Sequence, residues 1–353
     1  MQLELAGWDG AWAEAFASHK DAGLLPGRVF THNRHIYSIY TEAGETTAEL
    51  AGALLYRADE PELPVVGDWI TFRQYAPGDL AIIHEVLPRR SRFSRKAAGR
   101  VVAEQVMAAN IDILFVVCGL DHDYNLRRLE RYLAAAAESG APVVIVLTKA
   151  DLCSDVEGRM KDVASVAPGV PIIPINALSF DSASSLLYYL ESGRTAALIG
   201  SSGAGKSTIV NQLLGANSQE TQPTRESDGR GRHTTTQREL FILPSGGLIL
   251  DNPGIRELQL WSEPSSLESA FPEIETLAGC CEFRDCSHQA DRGCAVQEAL
   301  VHGKLSQERW RSYLKLQREL RHTALQFDDN ARRDAKQRIK KLCKGVKRNR
   351  KRY

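Results

Sequence analysis

The chain has 353 residues, of which 43% are apolar and 25% are charged, and its formal net charge at pH 7 is zero. That composition is typical of a soluble globular protein with two or three domains. The longest apolar run, IDILFVVCGL at 111–120, is far shorter than the ~20 residues that span a bilayer. The N-terminus also has acidic residues where a secretion signal has basic ones. These features exclude a membrane-spanning protein and predict a cytoplasmic one without a membrane partner.

The zero net charge conceals two basic segments. Residues 331–353 contain 12 Lys and Arg and one acid, Asp334, so this tail carries +11 and the rest of the chain −11. The segment RRSRFSRKAAGR at 89–100 contains six basic residues and no acid. Such segments are usually only solvated, but two of them in one cytoplasmic protein favour a polyanionic partner such as nucleic acid.

The first 26 residues are expected to be helical, and the pattern changes at residue 27. β-rich runs separated by Gly, Pro and Asp follow, among them GRVFTHNRHIYSIYT, TAELAGALLYR (47–57) and GDWITFRQY. Short, evenly spaced strands predict a small β-barrel over 27–95, of the oligonucleotide-binding (OB) type. A structural β-domain without a ligand would show the same pattern.

Apolar strand-like runs alternate with helical segments between residues 96 and 265. The runs include IDILFVVCG, PVVIVLT, TAALIG and GLILD, and LRRLERYLAAAAES at 126–139 is one of the helical segments. Such alternation predicts an α/β domain whose largely parallel sheet has helices on both faces. Over 266–330 the chain is polar, bears cysteines and then becomes helical, before it ends in the basic tail.

The segment GSSGAGKS at 200–207 matches the phosphate-loop pattern G-x-x-x-x-G-K-[ST], and it lies between an apolar strand and a helix. Glycines let backbone N–H groups surround phosphates, and the helix N-terminus adds a positive dipole end. Lys206 would reach the β- and γ-phosphates, and Ser207 would ligate Mg²⁺. The predicted phosphate contacts are Gly200, Ser201, Ser202, Gly203, Ala204, Gly205, Lys206, Ser207 and Thr208.

A partner element, LILDNPG at 248–254, follows the phosphate loop. Asp251 at the carboxyl end of its strand would hold Mg²⁺ through water, and the Gly254 amide would bond the γ-phosphate. Between the two elements lies SDGRGRHTTTQREL, whose glycines and basic residues suit a mobile switch. Thr234 or Thr235 would complete the Mg²⁺ coordination, and the sequence does not distinguish them.

Ile255 stands where many GTPases have the glutamine that orients the attacking water. We therefore expect slow intrinsic turnover, with a partner or another side chain positioning the water. His233 in the switch is the candidate for this catalytic role, and an ordinary exposed loop histidine is the alternative.

The segment TKAD at 148–151 ends another apolar strand and has the pattern of a guanine reader. Asp151 can accept hydrogen bonds from guanine N1–H and N2–H₂, which adenine does not offer, and Lys149 can lie along the base plane. The usual pattern has Asn where Thr148 stands, so one polar contact is altered.

The dipeptide NA at 176–177 is similar to the last guanine element of GTPases, in which Ala177 would donate its N–H to guanine O6. Asn176 replaces the usual Ser there. The predicted guanine contacts are Thr148, Lys149, Ala150, Asp151, Asn176 and Ala177.

Four of the seven cysteines lie close together near the C-terminus. In a reducing compartment such a cluster indicates a metal site rather than a disulfide set. With Cys281 or its rival Cys280 as the first ligand, Cys286, His288 and Cys294 complete three thiolates and one imidazole. This ligand set is that of a closed, structural, tetrahedral Zn²⁺ site. Buried free cysteines are the alternative.

The guanine reader precedes the phosphate loop here, whereas in ordinary GTPases it follows. The order TKAD, NA, GSSGAGKS, GRHTTT and DNPG, with a β-barrel before it and a Cys/His cluster after it, resembles the ribosome-small-subunit-dependent GTPases (the RsgA/YjeQ family) over essentially residues 27–300. The resemblance implies an OB barrel, a circularly permuted GTPase domain and a zinc domain in which Cys281 is the ligand. It also implies binding to the 30S subunit and its 16S rRNA, a role in late 30S maturation, and subunit-stimulated hydrolysis of GTP to GDP.

The expected fold is therefore multi-domain: an OB-like barrel, a permuted α/β P-loop GTPase domain and an α-helical zinc-binding domain, in a monomer. An ATP-dependent kinase or nuclease is one alternative, which Asp151 disfavours. A non-hydrolysing RNA-binding module, in which nucleotide merely holds the domains together, is another. The expected domains are 1–26, 27–95, 96–265, 266–330 and the tail 331–353.

Overall fold

The computed structural model describes residues 2–33, 36–57, 63–76, 78–96, 104–215, 238–251, 265–289 and 291–327. The chain forms two compact units. The first comprises residues 1–95 and 105–259, and the second comprises 96–104 and 260–353. Among the described helices, none is both long enough and apolar enough to cross a membrane.

Two helices and a five-stranded barrel begin the first unit. Helix α2 starts where the Asp9 carboxylate accepts a hydrogen bond from the Trp12 amide, which is a helix N-cap. The elements are α1 (Gln2–Leu5), α2 (Gly10–Lys20), β1 (Leu25–Asn33), β2 (Ile36–Thr41), β3 (Gly44–Leu50), α3 (Gly52–Arg57), β4 (Trp69–Arg73) and β5 (Ala81–Val86).

The strands of the barrel are ordered β1-β2-β3-β5-β4, and β4 pairs back with β1 to close it. The interior is filled by Val29, Tyr37, Ile39, Ala48, Ile70, Phe72, Ala81 and Ile83. The OB-like barrel is thus confirmed. The expectation of a β-rich run through GALLYR is wrong, because the amides of Leu54 and Leu55 both donate to the Ala51 carbonyl and begin α3. Leu54 then packs against the barrel core.

The rest of the first unit is the α/β domain. A two-stranded ribbon, β6 (Arg92–Lys96) with β7 (Glu104–Ala109), precedes it. Its strands are β8 (Ile113–Gly119), β9 (Val143–Thr148), β10 (Ile172–Pro174), β11 (Thr195–Gly200), β12 (Glu239–Ile242) and β13 (Leu248–Asp251). Its helices are α4 (Leu126–Ser139), α5 (Val156–Val166), α6 (Phe180–Ala183) and α7 (Lys206–Leu214).

The α/β sheet has the order β10-β9-β8-β11-β13-β12, and all of its strands are parallel except β12. Every residue of β8, β11 and β13 is buried, as expected for a sheet with helices on both faces. Helix α4 contacts β8, α5 contacts β10, and α7 contacts β11 and β13. The predicted α/β architecture is confirmed.

Barrel and α/β domain share one sheet. Strand β1 of the barrel pairs antiparallel with β12, with Thr31 opposite Glu239, so the two domains form a continuous 11-stranded sheet. The barrel is therefore attached by backbone hydrogen bonds to the strand that follows the predicted switch.

A buried arginine reinforces this junction. Arg28 on β1 is 2% exposed and donates hydrogen bonds of 2.5–3.2 Å to the backbone carbonyls of Ala6, Gly67 and Asn110. These acceptors belong to the N-terminal segment, the barrel and the chain leading into β8. Burial lowers the pKa of Arg28 to about 10, although nearby carboxylates raise it, so the guanidinium remains charged at neutral pH.

The second unit is helical, which confirms the expected class of this domain. Arg309 on its last helix is 4% exposed, donates to Glu273 Oε1 at 2.7 Å and to the Ala270 carbonyl at 2.8 Å, and lies 4.2 Å from the Phe271 ring centroid. The last helix is thereby fixed to the first two. The helices are α8 (Ser265–Ala270), α9 (Pro272–Gly279), α10 (Ala295–Val301) and α11 (Gln307–Phe327).

Replacement of Arg28 by methionine should lower the free energy of unfolding of the first unit by at least about 3 kcal/mol, because it leaves buried carbonyl groups without their donor. A urea titration followed by tryptophan fluorescence measures this, since the Trp69 ring lies 5.4 Å from the guanidinium carbon. Arg73→Met is the matched control: Arg73 also donates to a carbonyl, that of Ala22 at 2.6 Å, but that hydrogen bond is exposed. Equal stability of the two variants would contradict the expectation.

Candidate functional site

The strand order brings together segments that lie far apart in the chain. In the parallel register, Thr148 at the end of β9 pairs with Gly119 of β8, and Gly200 at the end of β11 pairs with Val117 of β8. Asp251 ends β13, which is the neighbour of β11 on its other side. The predicted guanine reader, phosphate loop and Mg²⁺-binding aspartate therefore meet at one edge of the sheet.

The phosphate loop has the backbone that its glycines permit. Gly200 has φ +155°, and a Cβ there would lie 2.2 Å from the Val117 carbonyl oxygen, so no other residue fits. Gly205, with φ +95°, is the N-cap of α7. Lys206 Nζ donates to the Gly200 carbonyl at 2.8 Å and to the Ser201 carbonyl at 2.6 Å, which places its ammonium inside the curve of the loop.

Thr148, which stands where the usual pattern has Asn, connects the guanine reader to the phosphate loop. Its side chain is fully buried, and its hydroxyl donates to the Ala204 carbonyl at 2.6 Å. Because Ala204 immediately precedes Gly205, this hydrogen bond fixes the distance between the two segments. Thr148 therefore makes a polar contact to the phosphate loop.

The guanine reader turns sharply after Thr148. Lys149 has φ +58°, and residues Ala150–Leu152 then form one turn of 3-10 helix in which Asp151 is exposed. The Ala150 amide donates to the Ile175 carbonyl at 3.2 Å, so the reader is also tied to the residue that lies between β10 and the NA dipeptide.

Asn176, which replaces the usual Ser, shapes the second guanine segment. Its Oδ1 accepts a hydrogen bond from the Leu178 backbone amide at 2.9 Å, and its own backbone amide donates to Ser182 Oγ at 2.9 Å. This side-chain-to-backbone turn encloses Ala177. Leu178, 75% exposed, follows at the surface of the site.

Asp251 is 2% exposed and lies opposite Glu239 of β12. Burial raises the pKa of Glu239, and the carboxylates of Glu45 and Asp251 raise it further.

The remaining predicted groups of this site fall outside the described residues: His233, Thr234, Thr235 and Gly254.

Two carboxylates that the sequence analysis did not single out also lie at this edge. Asp121 and Asp123 follow β8, and they accept hydrogen bonds from Lys149 and Ser201 respectively. The signal in the sequence was the acidic turn LDHDYN directly after a buried strand, but only the sheet order shows which segments flank it.

The basic segment 89–100 is partly used by the fold itself. Arg89 forms a two-bond ion pair with buried Asp68 at 2.7 and 2.8 Å. Arg90 pairs with Asp9 through two bonds of 2.6 Å, and this hydrogen bonding lowers the pKa of Asp9 to about 2. These two arginines are engaged within the protein, so the segment offers less charge to a polyanion than its composition indicated.

The second unit brings together the predicted zinc ligands. Ligand atoms of Cys281, Cys286, His288 and Cys294 all lie within 4.8 Å of one another, whereas Cys280 is exposed and outside the group. His288 Nδ1 lies 3.5 Å from Cys281 Sγ and 3.6 Å from Cys294 Sγ, and those two sulfurs are 4.0 Å apart. Ideal tetrahedral Zn²⁺ coordination places S and N about 3.5 Å apart and two S atoms about 3.8 Å apart. The donor set fits the metal.

Neighbouring groups orient these ligands. Cys294 is the N-cap of α10 and accepts from the Gln297 amide, and the Gln297 side chain donates to the His288 carbonyl at 2.6 Å. On the other side, Asp291 accepts from the amide and hydroxyl of Ser287, each at 2.6 Å. Supporting hydrogen bonds of this kind are typical of metal sites.

Comparison with known proteins identifies the family. The RsgA GTPase family model matches residues 86–261. The small ribosomal subunit biogenesis GTPase RsgA of Opitutus terrae is 45% identical over 98% of this chain and 97% of its own length. The crystal structure of YjeQ from Thermotoga maritima has a TM-score of 0.62 at 23% identity and covers 84% of this chain and 98% of its own.

YloQ, described as a circularly permuted GTPase, has a TM-score of 0.57 at 22% identity and covers 85% of this chain and 96% of its own. These two structures show the shared fold. The 45% identity with the Opitutus protein, over 97% of that protein's length, shows the family. The chain belongs to the RsgA family of small ribosomal subunit biogenesis GTPases.

Proposed function

We propose that this GTPase binds GTP at the carboxyl edge of its α/β sheet, hydrolyses it to GDP and phosphate, and uses the reaction in late maturation of the 30S subunit. The observation that carries the proposal is the hydrogen bond from Thr148 to Ala204. It joins the guanine reader to the phosphate loop, so that base and phosphates are bound by one connected site.

Guanine would be recognised at the ends of β9 and β10. Asp151 is exposed and lies three residues beyond the end of β9, so its carboxylate can accept hydrogen bonds from N1–H and N2–H₂ of the base. The Ala177 amide, in the turn made by Asn176, can donate to O6. Lys149 would lie along the base plane. Adenine has neither the N1–H nor the O6 that these groups bind, which disfavours an ATP-dependent enzyme.

The triphosphate would lie on the loop 200–208, where backbone N–H groups and the Lys206 ammonium face its negative charge. Ser207 and Asp251 would hold Mg²⁺, which when bound neutralises charge that develops on the phosphates during hydrolysis. The amide of Gly254 is proposed for the γ-phosphate, His233 for orienting water, and Thr234 or Thr235 for the switch.

The partners would be the 30S subunit and its 16S rRNA, which stimulates hydrolysis. The tail 331–353 is proposed as an arm for RNA phosphates because it carries +11. Cys281, Cys286, His288 and Cys294 would hold one structural Zn²⁺, and the five predicted domains would divide these tasks. We expect the protein to act in the cytoplasm as a monomer.

GTP turnover should be slow for the isolated protein and faster with 30S subunits, and ATP should not be hydrolysed. Lys206→Ala should reduce stimulated turnover by about 100-fold, because the phosphates lose their charge compensation. Lys161→Ala on the exposed face of α5 is the matched control. Equal ATP turnover would favour an ATP-dependent enzyme, and GTP binding without any turnover would favour a non-hydrolysing module.

Removal of zinc with a strong chelator should unfold the 280–294 segment, because a metal site this small supplies much of its own folding energy. Trypsin should then cleave faster at Arg284 and Arg292, both exposed within the segment. In metal analysis, Cys286→Ser should lose the zinc and Cys280→Ser should retain it. Equal zinc content in these two variants would refute the ligand set.

A further inference from the structure

The loop at residues 120–125 lies between the two nucleotide-binding segments. It follows β8, and β8 is the strand between β9, which leads into the guanine reader, and β11, which leads into the phosphate loop. The loop is held at the sheet edge because the Leu120 amide donates to the Thr148 carbonyl at 2.9 Å. Its sequence, LDHDYN, presents two carboxylates.

Asp121 faces the guanine reader. Its Oδ2 accepts from Lys149 Nζ at 2.7 Å, and both side chains are mostly buried, with 17% and 21% exposed. His122 Nδ1 lies 3.3 Å from the same oxygen. Partial burial opposes the charged form, but the hydrogen bonds from Lys149 and the Asp123 amide outweigh it and hold the pKa of Asp121 below its ordinary value. The pair is therefore a charge-assisted hydrogen bond.

Asp123 faces the phosphate loop. It accepts from the Ser201 hydroxyl and from Arg128 on α4. Ser201 is the residue directly after Gly200, so Asp123 ties the first turn of the phosphate loop to the same short segment that carries Asp121. Arg128 compensates the Asp123 charge, which would otherwise repel a phosphate.

We propose that Asp121 and Asp123 are positioning residues for nucleotide binding: Asp121 sets the guanine reader through Lys149, and Asp123 sets the phosphate loop through Ser201. The inference rests on the proposed nucleotide site. Lys149 needs such support because its positive φ is unfavourable for a residue with a side chain. Both carboxylates would act through their protein partners, Lys149 and Ser201, rather than through contacts of their own to the nucleotide.

The two residues support contacts to different parts of the ligand, and this separates their roles from a general structural one. Misplacement of Lys149 also displaces Asp151 two residues later, so loss of Asp121 should weaken reading of the base. Loss of Asp123 should weaken the phosphate contacts, which are the same for every nucleotide.

The test measures binding of GDP and of inosine diphosphate (IDP), which lacks the 2-amino group read by Asp151, by calorimetric titration of the full chain with Mg²⁺ present. Asp121→Asn should weaken the binding of GDP by about tenfold and the binding of IDP by less, so that the preference for GDP over IDP falls. Asp123→Ala should weaken both by the same factor. Asp79→Asn, an exposed barrel aspartate, is the matched control and should change neither.

Unchanged GDP affinity in Asp121→Asn, or equal losses for GDP and IDP, would overturn the role of Asp121. Unchanged affinity or an altered preference in Asp123→Ala would overturn that of Asp123. Should these variants not fold, Asp121→Glu and Asp123→Glu displace the two carboxylates by one methylene each, with the same outcomes required. Wild-type protein that binds GDP no more tightly than IDP would instead refute the proposed guanine recognition by Asp151, a result that is independent of any difference between variants.

Discussion

The parallel pairing of β9, β8, β11 and β13 is the constraint on which the rest of this protein depends. Parallel strands end at the same edge, so the loops that follow them meet whatever their order along the chain. The guanine reader can therefore precede the phosphate loop in sequence without any change in the chemistry at the sheet edge. What the permutation changes is connectivity: β12, which follows the switch segment, pairs directly with β1 of the barrel.

Short-range polar contacts then join the loops that the sheet brings together. Thr148 reaches the phosphate loop directly, and on the loop after β8 Asp121 holds the guanine reader through Lys149 and Asp123 holds the phosphate loop through Ser201. Arg28 works in the same way at the barrel junction, where one buried guanidinium binds three backbone segments. In each case a polar group that is costly to bury is satisfied by partners far away in sequence, so it selects one arrangement of the chain.

Local signals allowed much of the fold to be predicted from the sequence. Helix α4 lies at the predicted residues because Asn125 caps it and Gly140 ends it in the left-handed conformation. Contacts between distant residues were not predictable in this way. By composition Arg89 and Arg90 belong to a basic segment, and only the fold shows their acidic partners, which lie 21 and 81 residues away. The places of Asp121 and Asp123 do not follow from the sequence because the neighbours of β8 depend on the sheet order. The segment GALLYR has no hydrophobic periodicity that distinguishes a helix from a strand.

A single connected nucleotide site is the central claim, and hydrogen–deuterium exchange with and without GDP tests it most directly. Four separate segments of the chain should become protected together when GDP binds: 120–125, 148–152, 175–178 and 200–208. The barrel core, remote from the ligand, should not change. Protection confined to the phosphate loop, with the guanine segments exchanging as before, would show that these loops do not form one site.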